Sequence, residues 1–246
     1  MMFKGAIFDV DGVLVDSPHE QAWREALQRL MEGPWRELAP STRYTPEAFT
    51  TAVYLGYVAG KPRLAGAQAV LAYFGVPDPD GTYAGQYAAA KQELILELIE
   101  RGAFTVFEDG RRLLLRLKEA GLRLAAASSS KNANDFLVRV SAGQGRTLLD
   151  LFDANVCGRD FAHGKPHPEI FLTAAAELGL PPERCFVVED AVSGVQAARA
   201  AGMACVGVAR HGDADELRAA GATVVVTSLD AVDLEGRLVA EQVPTD

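Results

Sequence analysis

The sequence predicts an α/β fold, a doubly wound and mostly parallel sheet that carries an inserted all-helical cap domain. Three observations predict it. Short apolar runs recur along the chain, each followed by turn residues and a helical pattern, which is typical of a sheet covered by helices on both faces. A long stretch after the first run shows helical periodicity only. The 246 residues are sufficient for one core with a sizeable insertion.

Five of the apolar runs predict buried parallel strands, because a strand that is covered on both faces is apolar throughout. A sixth run, Ala154–Cys157, is weaker. Together they predict a Rossmann-like sheet in the core. The five runs are Gly5–Phe8, Leu122–Ala127, Cys185–Val188, Ala204–Val208 and Thr223–Val226.

Helices between the strands are predicted by apolar residues at helical spacing and by a glycine that ends each segment. Glycine ends a helix readily because it adopts the left-handed conformation that follows the last turn. The glycines in question are Gly121, Gly179 and Gly202. The predicted helices are Asp109–Ala120, Pro168–Leu178 and Val192–Ala201.

The stretch from residue 18 to residue 105 contains no convincing strand and predicts the helical cap domain. We expect its first helix to start with a capping box at Ser17-Pro18-His19-Glu20, with proline at the first helical position. The predicted domains are therefore a core of residues 1–17 and 106–234, a cap of residues 18–105 and a frayed tail of residues 235–246. The further helices predicted in the cap are Phe49–Ala59, Ala65–Phe74 and Tyr83–Arg101.

Composition excludes several classes of partner. The formal net charge of −9 disfavours nucleic-acid binding, which depends on a positive surface. No apolar stretch is long enough to cross a bilayer and the first residues lack a signal-peptide pattern, so we expect no membrane partner. We expect a monomer in the cytoplasm. Widely spaced Cys157, Cys185 and Cys205 predict buried free thiols rather than disulfides or a zinc site. The four histidines are scattered and lack H-E-x-x-H spacing.

Four polar clusters each follow a predicted strand, at the end of the sheet where open α/β proteins bind ligands. They supply carboxylates, a hydroxyl and an ammonium group. Carboxylates suit a hard cation such as Mg2+, and the other two groups suit the charged oxygens of a transferring phosphoryl group. The clusters are Asp9-Val10-Asp11, Ser128-Ser129-Ser130-Lys131-Asn132, Gly164-Lys165-Pro166 and Glu189-Asp190.

Each cluster also has a purely structural explanation. An Asp-Gly pair at Asp11 is typical of a hairpin turn, and the serine-rich segment could form a turn and a helix cap. Lys165 could be a solvated loop residue, and Asp190 could be the N-cap of the next helix. We favour a functional site because the structural explanation requires four separate coincidences at four strand ends.

These motifs resemble those of the haloacid dehalogenase superfamily over nearly the whole chain. The segment Asp9-Val10-Asp11-Gly12-Val13-Leu14-Val15-Asp16 matches the first motif, D-x-D-G-x-[LVI]-x-D. Ser128 matches the serine of the second motif, and Lys165 matches the lysine of the G-K-P third motif. The acidic pair Glu189-Asp190, followed by a glycine-containing helix start, matches the fourth.

The resemblance implies a role for each matched residue. Asp9 would be the nucleophile that forms an aspartyl phosphate, and Asp11 the general acid and base. Ser128 and Lys165 would hold the phosphoryl group. Asp11 also implies phosphate chemistry, since the dehalogenases of the superfamily lack an acid there. The Mg2+ ligands implied are the Asp9 carboxylate, the Asp11 main-chain carbonyl and Asp190, with Glu189 in support.

Within this superfamily the residues resemble the β-phosphoglucomutase family. The S-x-S-K-N loop of that family is matched from Ser128, which implies that Ser130, Lys131 and Asn132 bind a second phosphate. The sequence departs from the family pattern at Ala59, where a lysine is expected, and at Glu108, where proline is common. The cap residues implied to act on substrate are His19 of an H-x-x-A-W segment, Lys61 and Arg63 of a G-x-x-R element, and Lys91.

The cap residues have structural alternatives as well, since His19 could be an exposed first-turn residue and Lys91 part of a solvated helix face. Three functions remain open. The first is a mutase that interconverts β-glucose 1-phosphate and glucose 6-phosphate through the bisphosphate. The second is a sugar-phosphate phosphatase, and the third is a binding protein that has the fold without turnover. A P-loop kinase is excluded because Pro166 stands where serine or threonine is required.

Overall fold

The computed structural model of the chain describes residues 3–58, 61–233 and 239–240. The chain divides into two compact units, which we call the core unit (Met1–Ser17 with Thr105–Asp246) and the helical unit (Pro18–Phe104). The interpretation of these units as separate domains with the boundaries given above stays a prediction. Ala59 and Gly60 of the predicted cap lie outside the described residues, as does most of the predicted tail.

Strands and helices follow one another along the chain in the order that an α/β core with one helical insertion requires. In the described ranges, the strands are β1 (Gly5–Phe8), β2 (Val15–Asp16), β3 (Thr105–Val106), β4 (Arg123–Ala126), β5 (Ser141–Gly143), β6 (Arg146–Thr147), β7 (Ala154–Asn155), β8 (Cys185–Glu189), β9 (Ala204–Val208), β10 (Val224–Val226), β11 (Val232–Asp233) and β12 (Val239–Ala240). The helices are α1 (His19–Glu32), α2 (Thr51–Tyr57), α3 (Arg63–Phe74), α4 (Thr82–Glu100), α5 (Glu108–Glu119), α6 (Ala133–Leu137), α7 (Glu169–Glu177), α8 (Val192–Ala200) and α9 (Ala214–Ala220).

A parallel six-stranded sheet forms the centre of the core unit, with the strand order β10-β9-β8-β1-β4-β7. Its six strands are those that the apolar runs predict, including the weak run that becomes β7. The strands are buried because α5 and the helices that follow it bury their own apolar faces in the same unit; α5 buries Leu113, Leu114 and Leu117. The predicted α/β fold is therefore confirmed.

The register of three central strands determines where the polar clusters lie. Phe8 at the end of β1 is opposite Ala126 of β4 on one side and Val188 of β8 on the other. The next residues continue this pairing, since Ala127 N donates to Phe8 O at 2.8 Å and Asp9 N donates to Val188 O at 3.0 Å. The chain segments that follow β1, β4 and β8 therefore leave the sheet at the same edge.

Three short antiparallel pairs are absent from the predictions. Val15–Asp16 of β2 pairs with Thr105–Val106 of β3, so the predicted strand-free stretch ends one residue early. A second pair joins β5 to β6. Strands of two or three residues contain too few side chains for a period-two pattern, which explains why the sequence does not reveal them. The pairing of β11 with β12 shows that the expectation of a frayed tail is wrong at Val239–Ala240.

Within the helical unit, α1 and α4 pack through aromatic side chains. Trp23 of α1 and Tyr87 of α4 form an edge-to-face pair with ring centroids 4.9 Å apart. The Tyr87 hydroxyl donates to the main-chain carbonyl of Trp23 at 2.8 Å. The predicted capping box is wrong: α1 begins at His19, the N-cap is Pro18, and no side chain caps the first turn. Ser17 N instead donates to Asp11 Oδ1 at 3.3 Å, in the core unit.

The three cysteines are buried free thiols, as predicted. Among the described residues, no helix combines the length and the apolar composition that crossing a membrane requires.

Candidate active site

Asp9 and Lys165 form a buried ion pair at the edge of the sheet where β1 ends. Lys165 lies in the loop between β7 and α7, and its Nζ is 2.6 Å from Asp9 Oδ1. The same ammonium group donates to Glu189 Oε1 and lies 5.0 Å from the ring centroid of Phe171. The structure thus brings together residues 9, 165 and 189, which the sequence places in three different polar clusters.

Glu189 is held by more than the lysine. Its Oε2 accepts hydrogen bonds of 3.1 Å from the main-chain amides of both Asp190 and Ala191, and the side chain is 1% exposed. A Cβ atom built on Gly194, early in α8, would stand 1.9 Å from Glu189 Oε1, so only glycine leaves room for this carboxylate. The structural alternative for Asp190 is wrong, because the N-cap of α8 is Ala191.

Asp190 lies against the loop that contains Asp11. Gly12 has a left-handed φ of 79°, and a Cβ atom built on it would stand 1.9 Å from Asp190 Oδ2. Glycine is therefore required at this position both for its conformation and for the close approach of the carboxylate. The alternative of a simple hairpin after β1 is wrong, since β1 continues into a tight loop and its sheet neighbours are β4 and β8.

Burial and mutual repulsion shape the electrostatics of the acidic residues. Burial raises the pKa of Asp9 to about 7; Glu189 and Asp11 add to this effect, and Lys165 opposes it. Burial also raises the pKa of Asp190 well above its ordinary value, with further contributions from the three neighbouring carboxylates. Burial alone would lower the pKa of Lys165, but Asp9 and Glu189 together raise it, so the ammonium group stays charged.

The serine-rich segment follows β4 and is held by its own side chains. Ser128 is buried, its N–H donates to Cys157 Sγ at 3.3 Å, and its Oγ accepts from Ser130 N at 3.2 Å. Ser130 Oγ in turn accepts from the N–H of buried Asn132 at 3.3 Å. Lys131 points elsewhere: its Nζ donates to Gly158 O and forms an exposed ion pair with Asp160.

The helical unit contains a second cluster. Lys91 of α4 is 4% exposed, and its Nζ lies 3.2 Å from His19 Nδ1 and 5.6 Å from the ring centroid of Trp23. Burial, the Lys91 ammonium and the Arg63 guanidinium lower the pKa of His19 to about 3. His19 is therefore a half-buried neutral imidazole, and Lys91 does not belong to a solvated helix face. Lys61 is exposed and lies 5.9 Å from the ring centroid of Tyr57.

One residue that the sequence analysis missed connects the Asp11 loop to α5. Arg210, after β9, donates to both carboxylate oxygens of Asp109 at 2.9 and 3.0 Å. It also donates to the main-chain carbonyls of Gly12 and Val13 at 3.1 and 3.4 Å. Its guanidinium lies 4.0 Å from the ring centroid of Phe107. No sequence motif reveals this contact, because Arg210 is separated from its partners by about a hundred residues or more.

Comparison with known proteins agrees with this geometry. A family model described as haloacid dehalogenase-like hydrolase matches residues 3–202. The chain is 35% identical over 244 residues to a β-phosphoglucomutase of Mycobacterium bovis, covering 92% of this chain and 90% of the relative. It is 30% identical over 221 residues to a validoxylamine A 7'-phosphate phosphatase of Streptomyces hygroscopicus, covering 88% and 90%.

Solved structures give the same result. The crystal structure of an archaeal β-phosphoglucomutase from Pyrococcus sp. strain ST 04 superposes with a TM-score of 0.69 at 34% identity, covering 91% of this chain and 92% of that one. The relatives of the present chain thus include both phosphomutases and phosphatases. The chain is an enzyme of this phosphomutase and phosphatase type. The match over residues 3–202 and the shared fold show that the chain belongs to the haloacid dehalogenase-like hydrolase family.

Proposed function

We propose that the protein is a β-phosphoglucomutase, which converts β-glucose 1-phosphate to glucose 6-phosphate through the 1,6-bisphosphate and a covalent aspartyl phosphate on Asp9. The observation that carries the proposal is the buried contact of Asp9 with Lys165, with a second acid, Asp11, two residues away. The identity of 35% to a β-phosphoglucomutase over most of the chain supports this choice of reaction. So does the complete S-x-S-K-N segment that starts at Ser128.

The transfer divides into two steps: Asp9 is the nucleophile in the first, and the acceptor hydroxyl is the nucleophile in the second, with the Asp9 carboxylate as leaving group. A carboxylate oxygen of Asp9 attacks the phosphorus atom, the bond from phosphorus to the sugar oxygen breaks, and Asp11 gives a proton to that oxygen. In the return step Asp11 takes the proton of the acceptor hydroxyl, and the phosphoryl group moves from Asp9 to that oxygen. Lys165 and Ser128 stabilise the negative charge of the phosphoryl oxygens throughout.

The residues present fit a magnesium ion. Burial raises the pKa of Asp190, and the nearby carboxylates of Glu189, Asp9 and Asp11 raise it further, while Lys165 opposes them. A hard divalent cation takes oxygen ligands of this kind and would compensate their excess negative charge. The proposed ligands are Asp9, the Asp11 carbonyl and Asp190. Glu189 supports them by fixing Lys165 and the amide of residue 190. When bound, Mg2+ would supply charge compensation for the transferring phosphoryl group.

Substrate recognition is proposed for two groups of residues. In the core unit, Ser130, Lys131 and Asn132 would bind the second phosphate, which requires Lys131 to exchange its exposed ion pair with Asp160 for the ligand. Such pairs contribute only about 1 kcal/mol or less, so the exchange is inexpensive. In the helical unit, the residues proposed to bind the substrate are His19, Lys61, Arg63 and Lys91.

A second candidate function is a sugar-phosphate phosphatase, in which water accepts the phosphoryl group from Asp9. The observation that favours it is the position of Lys131, whose ammonium group lies on Gly158 O and Asp160. A relative that is 30% identical over 88% of the chain is a phosphatase.

One assay separates the two. The enzyme receives β-glucose 1-phosphate, a trace of the 1,6-bisphosphate and Mg2+, and glucose 6-phosphate and inorganic phosphate are measured side by side. The proposal predicts glucose 6-phosphate without stoichiometric phosphate release. Release of phosphate and free sugar in equal amounts would contradict the mutase and support the phosphatase. The control is Asp9→Asn, which should be inactive in both readouts.

A further inference from the structure

Three side chains next to Lys165 form a cluster that has no part in the proposed phosphoryl transfer. His163 and His167 flank Lys165 in the loop after β7, and Glu169 is the first residue of α7. Their candidate ligand atoms all lie within 4.8 Å of one another. The side chains of His163 and His167 are 66% and 48% exposed, so an ion can reach them from solvent.

The distances within this cluster match those between the ligands of a metal ion. Nδ1 of His163 lies 3.6 Å from Glu169 Oε2, and Nδ1 of His167 lies 3.9 Å from the same oxygen. Both separations exceed an ordinary hydrogen bond of about 2.7–3.2 Å. Two ligands bound tetrahedrally to zinc at about 2.1 Å are roughly 3.4 Å apart, so small side-chain rotations suffice to bind an ion.

Main-chain amides form hydrogen bonds with two of the three candidate ligands, Glu169 and His167. Glu169 Oε2 accepts a hydrogen bond of 3.1 Å from His163 N, which orients the carboxylate toward the two rings. Nδ1 of His167 accepts from Glu169 N at 3.4 Å, which orients this nitrogen toward the start of α7. A bound ion would replace that long contact. The centroids of the two imidazole rings lie 4.5 Å apart, with the ring planes tilted by 33°.

We propose that His163, His167 and Glu169 bind a divalent first-row transition ion, with Zn2+ as the representative. Two imidazoles and one carboxylate are the ligand set of such ions, whereas Mg2+ prefers oxygen ligands and retains water. The site is thus chemically distinct from the carboxylate cluster around Asp9. Because its ligands lie on both sides of Lys165, a bound ion would restrict the loop that holds this lysine against Asp9 and would stabilise the folded core unit.

The test measures Zn2+ binding by calorimetry to the full chain in excess Mg2+, which occupies oxygen-rich sites. We expect one Zn2+ per chain. His163→Ala, His167→Ala and Glu169→Gln should each weaken it at least about tenfold, because each removes a ligand. The matched control is His211→Ala, which removes an exposed histidine elsewhere in the core unit and should bind Zn2+ like the unmodified protein.

A second readout identifies the ligands directly. Co2+ in place of Zn2+ should give the visible absorption of a low-coordinate ion with nitrogen ligands, in the unmodified protein and in His211→Ala. Circular dichroism verifies that each variant is folded. The proposal is overturned if the unmodified protein binds no Zn2+, or if binding persists undiminished in the His163→Ala/His167→Ala double variant. Neither outcome depends on which phosphoryl transfer the enzyme performs.

Discussion

The core unit and the helical unit each contain a lysine whose side chain is largely shielded from solvent, and the two lysines have different neighbours. Lys165 lies between the carboxylates of Asp9 and Glu189, so its positive charge is compensated where it is buried. Lys91 contacts a histidine nitrogen and the face of Trp23. In the core unit the two carboxylates raise the pKa of the lysine, whereas in the helical unit burial, together with the charges of Lys91 and Arg63, lowers the pKa of His19.

Burial alone therefore does not define the function of a charged group. A buried cation among carboxylates is typical of a site that binds anionic groups. Its removal leaves the buried carboxylates without a counter-charge. Removal of Lys91 takes away its hydrogen bond with the His19 imidazole and its cation–π contact with Trp23. The two lysines should therefore respond very differently to the same substitution.

Lys165→Met should have the largest effect. It leaves Asp9 and Glu189 buried without their cation, which we expect to lower the free energy of unfolding of the core unit by about 3–5 kcal/mol. Loss of phosphoryl stabilisation should lower kcat at least about 100-fold. Urea unfolding followed by circular dichroism, together with steady-state kinetics, measures both quantities.

Lys91→Met is the matched control, because it removes a buried ammonium of the helical unit and retains the apolar stem. The His19 hydrogen bond and the Trp23 cation–π contact together account for an expected loss of about 1–2 kcal/mol. Both tryptophans of the chain, Trp23 and Trp35, lie in the helical unit, so their fluorescence reports the unfolding of that unit. Equal losses for the two lysine variants would contradict the comparison.

Arg210→Met should lower the free energy of unfolding by an intermediate amount. Arg210 is paired with the Asp109 carboxylate, as Lys165 is with Asp9, but it is not among the residues proposed to react. Its loss leaves Asp109 with the main-chain amides of Gly110 and Leu229 and releases the carbonyls of Gly12 and Val13. We expect a destabilisation of about 3 kcal/mol. We also expect kcat to fall about tenfold with little change in KM, because the Asp11 loop loses a support.

A second pair of variants separates positioning from stability. Arg210→Met combined with Asp109→Asn removes the unpaired buried charge and should recover much of the stability but not the kcat. Arg210→Lys should recover part of both, since lysine restores the charge without the two-pronged contact. Full recovery of kcat in the double variant would show that Arg210 acts only on stability.

A further effect concerns the pH dependence of the helical unit. The pKa of His19 is about 3 in the folded chain against 6.5 for an ordinary histidine. Between these values the unfolded chain binds more protons, so the free energy of unfolding should fall as the pH decreases below about 6.5, by at most about 1.4 kcal/mol per pH unit. His19→Gln should flatten this dependence between about pH 6.5 and pH 5, measured by tryptophan fluorescence in urea. An unchanged slope would mean that His19 is protonated in the folded state.

The sequence predicted those parts of the fold and of the site that depend on local patterns. Apolar runs such as Gly5–Phe8 predict the parallel strands, and polar residues after these runs indicate the edge at which Asp9, Ser128 and Glu189 meet. The predicted capping box is wrong by one residue. It has Ser17 as the N-cap and Pro18 as the first helical residue, whereas α1 begins at His19 and its N-cap is Pro18. Two-residue strands such as β2 escape any periodic pattern.

Contacts between distant segments could not be predicted. Arg210 contacts Asp109 and Gly12 because β9 and β1 end at the same edge of the sheet. No sequence spacing predicts this contact. The sequence pattern does not single out His163 and His167, because they lack the H-E-x-x-H spacing of a zinc site on a helix. A turn, in which His167 N donates to Gly164 O, brings these two rings together instead.

The central claim is that the phosphoryl group is transferred through the Asp9 carboxylate. Its most direct test is to mix the enzyme with Mg2+ and the 1,6-bisphosphate, quench in acid, and locate any phosphoryl group by peptide mass spectrometry. The account predicts one phosphoryl group per chain on the peptide that contains Asp9, and none in Asp9→Asn. A phosphoryl group on another residue, or turnover without any phosphorylated enzyme, would contradict it.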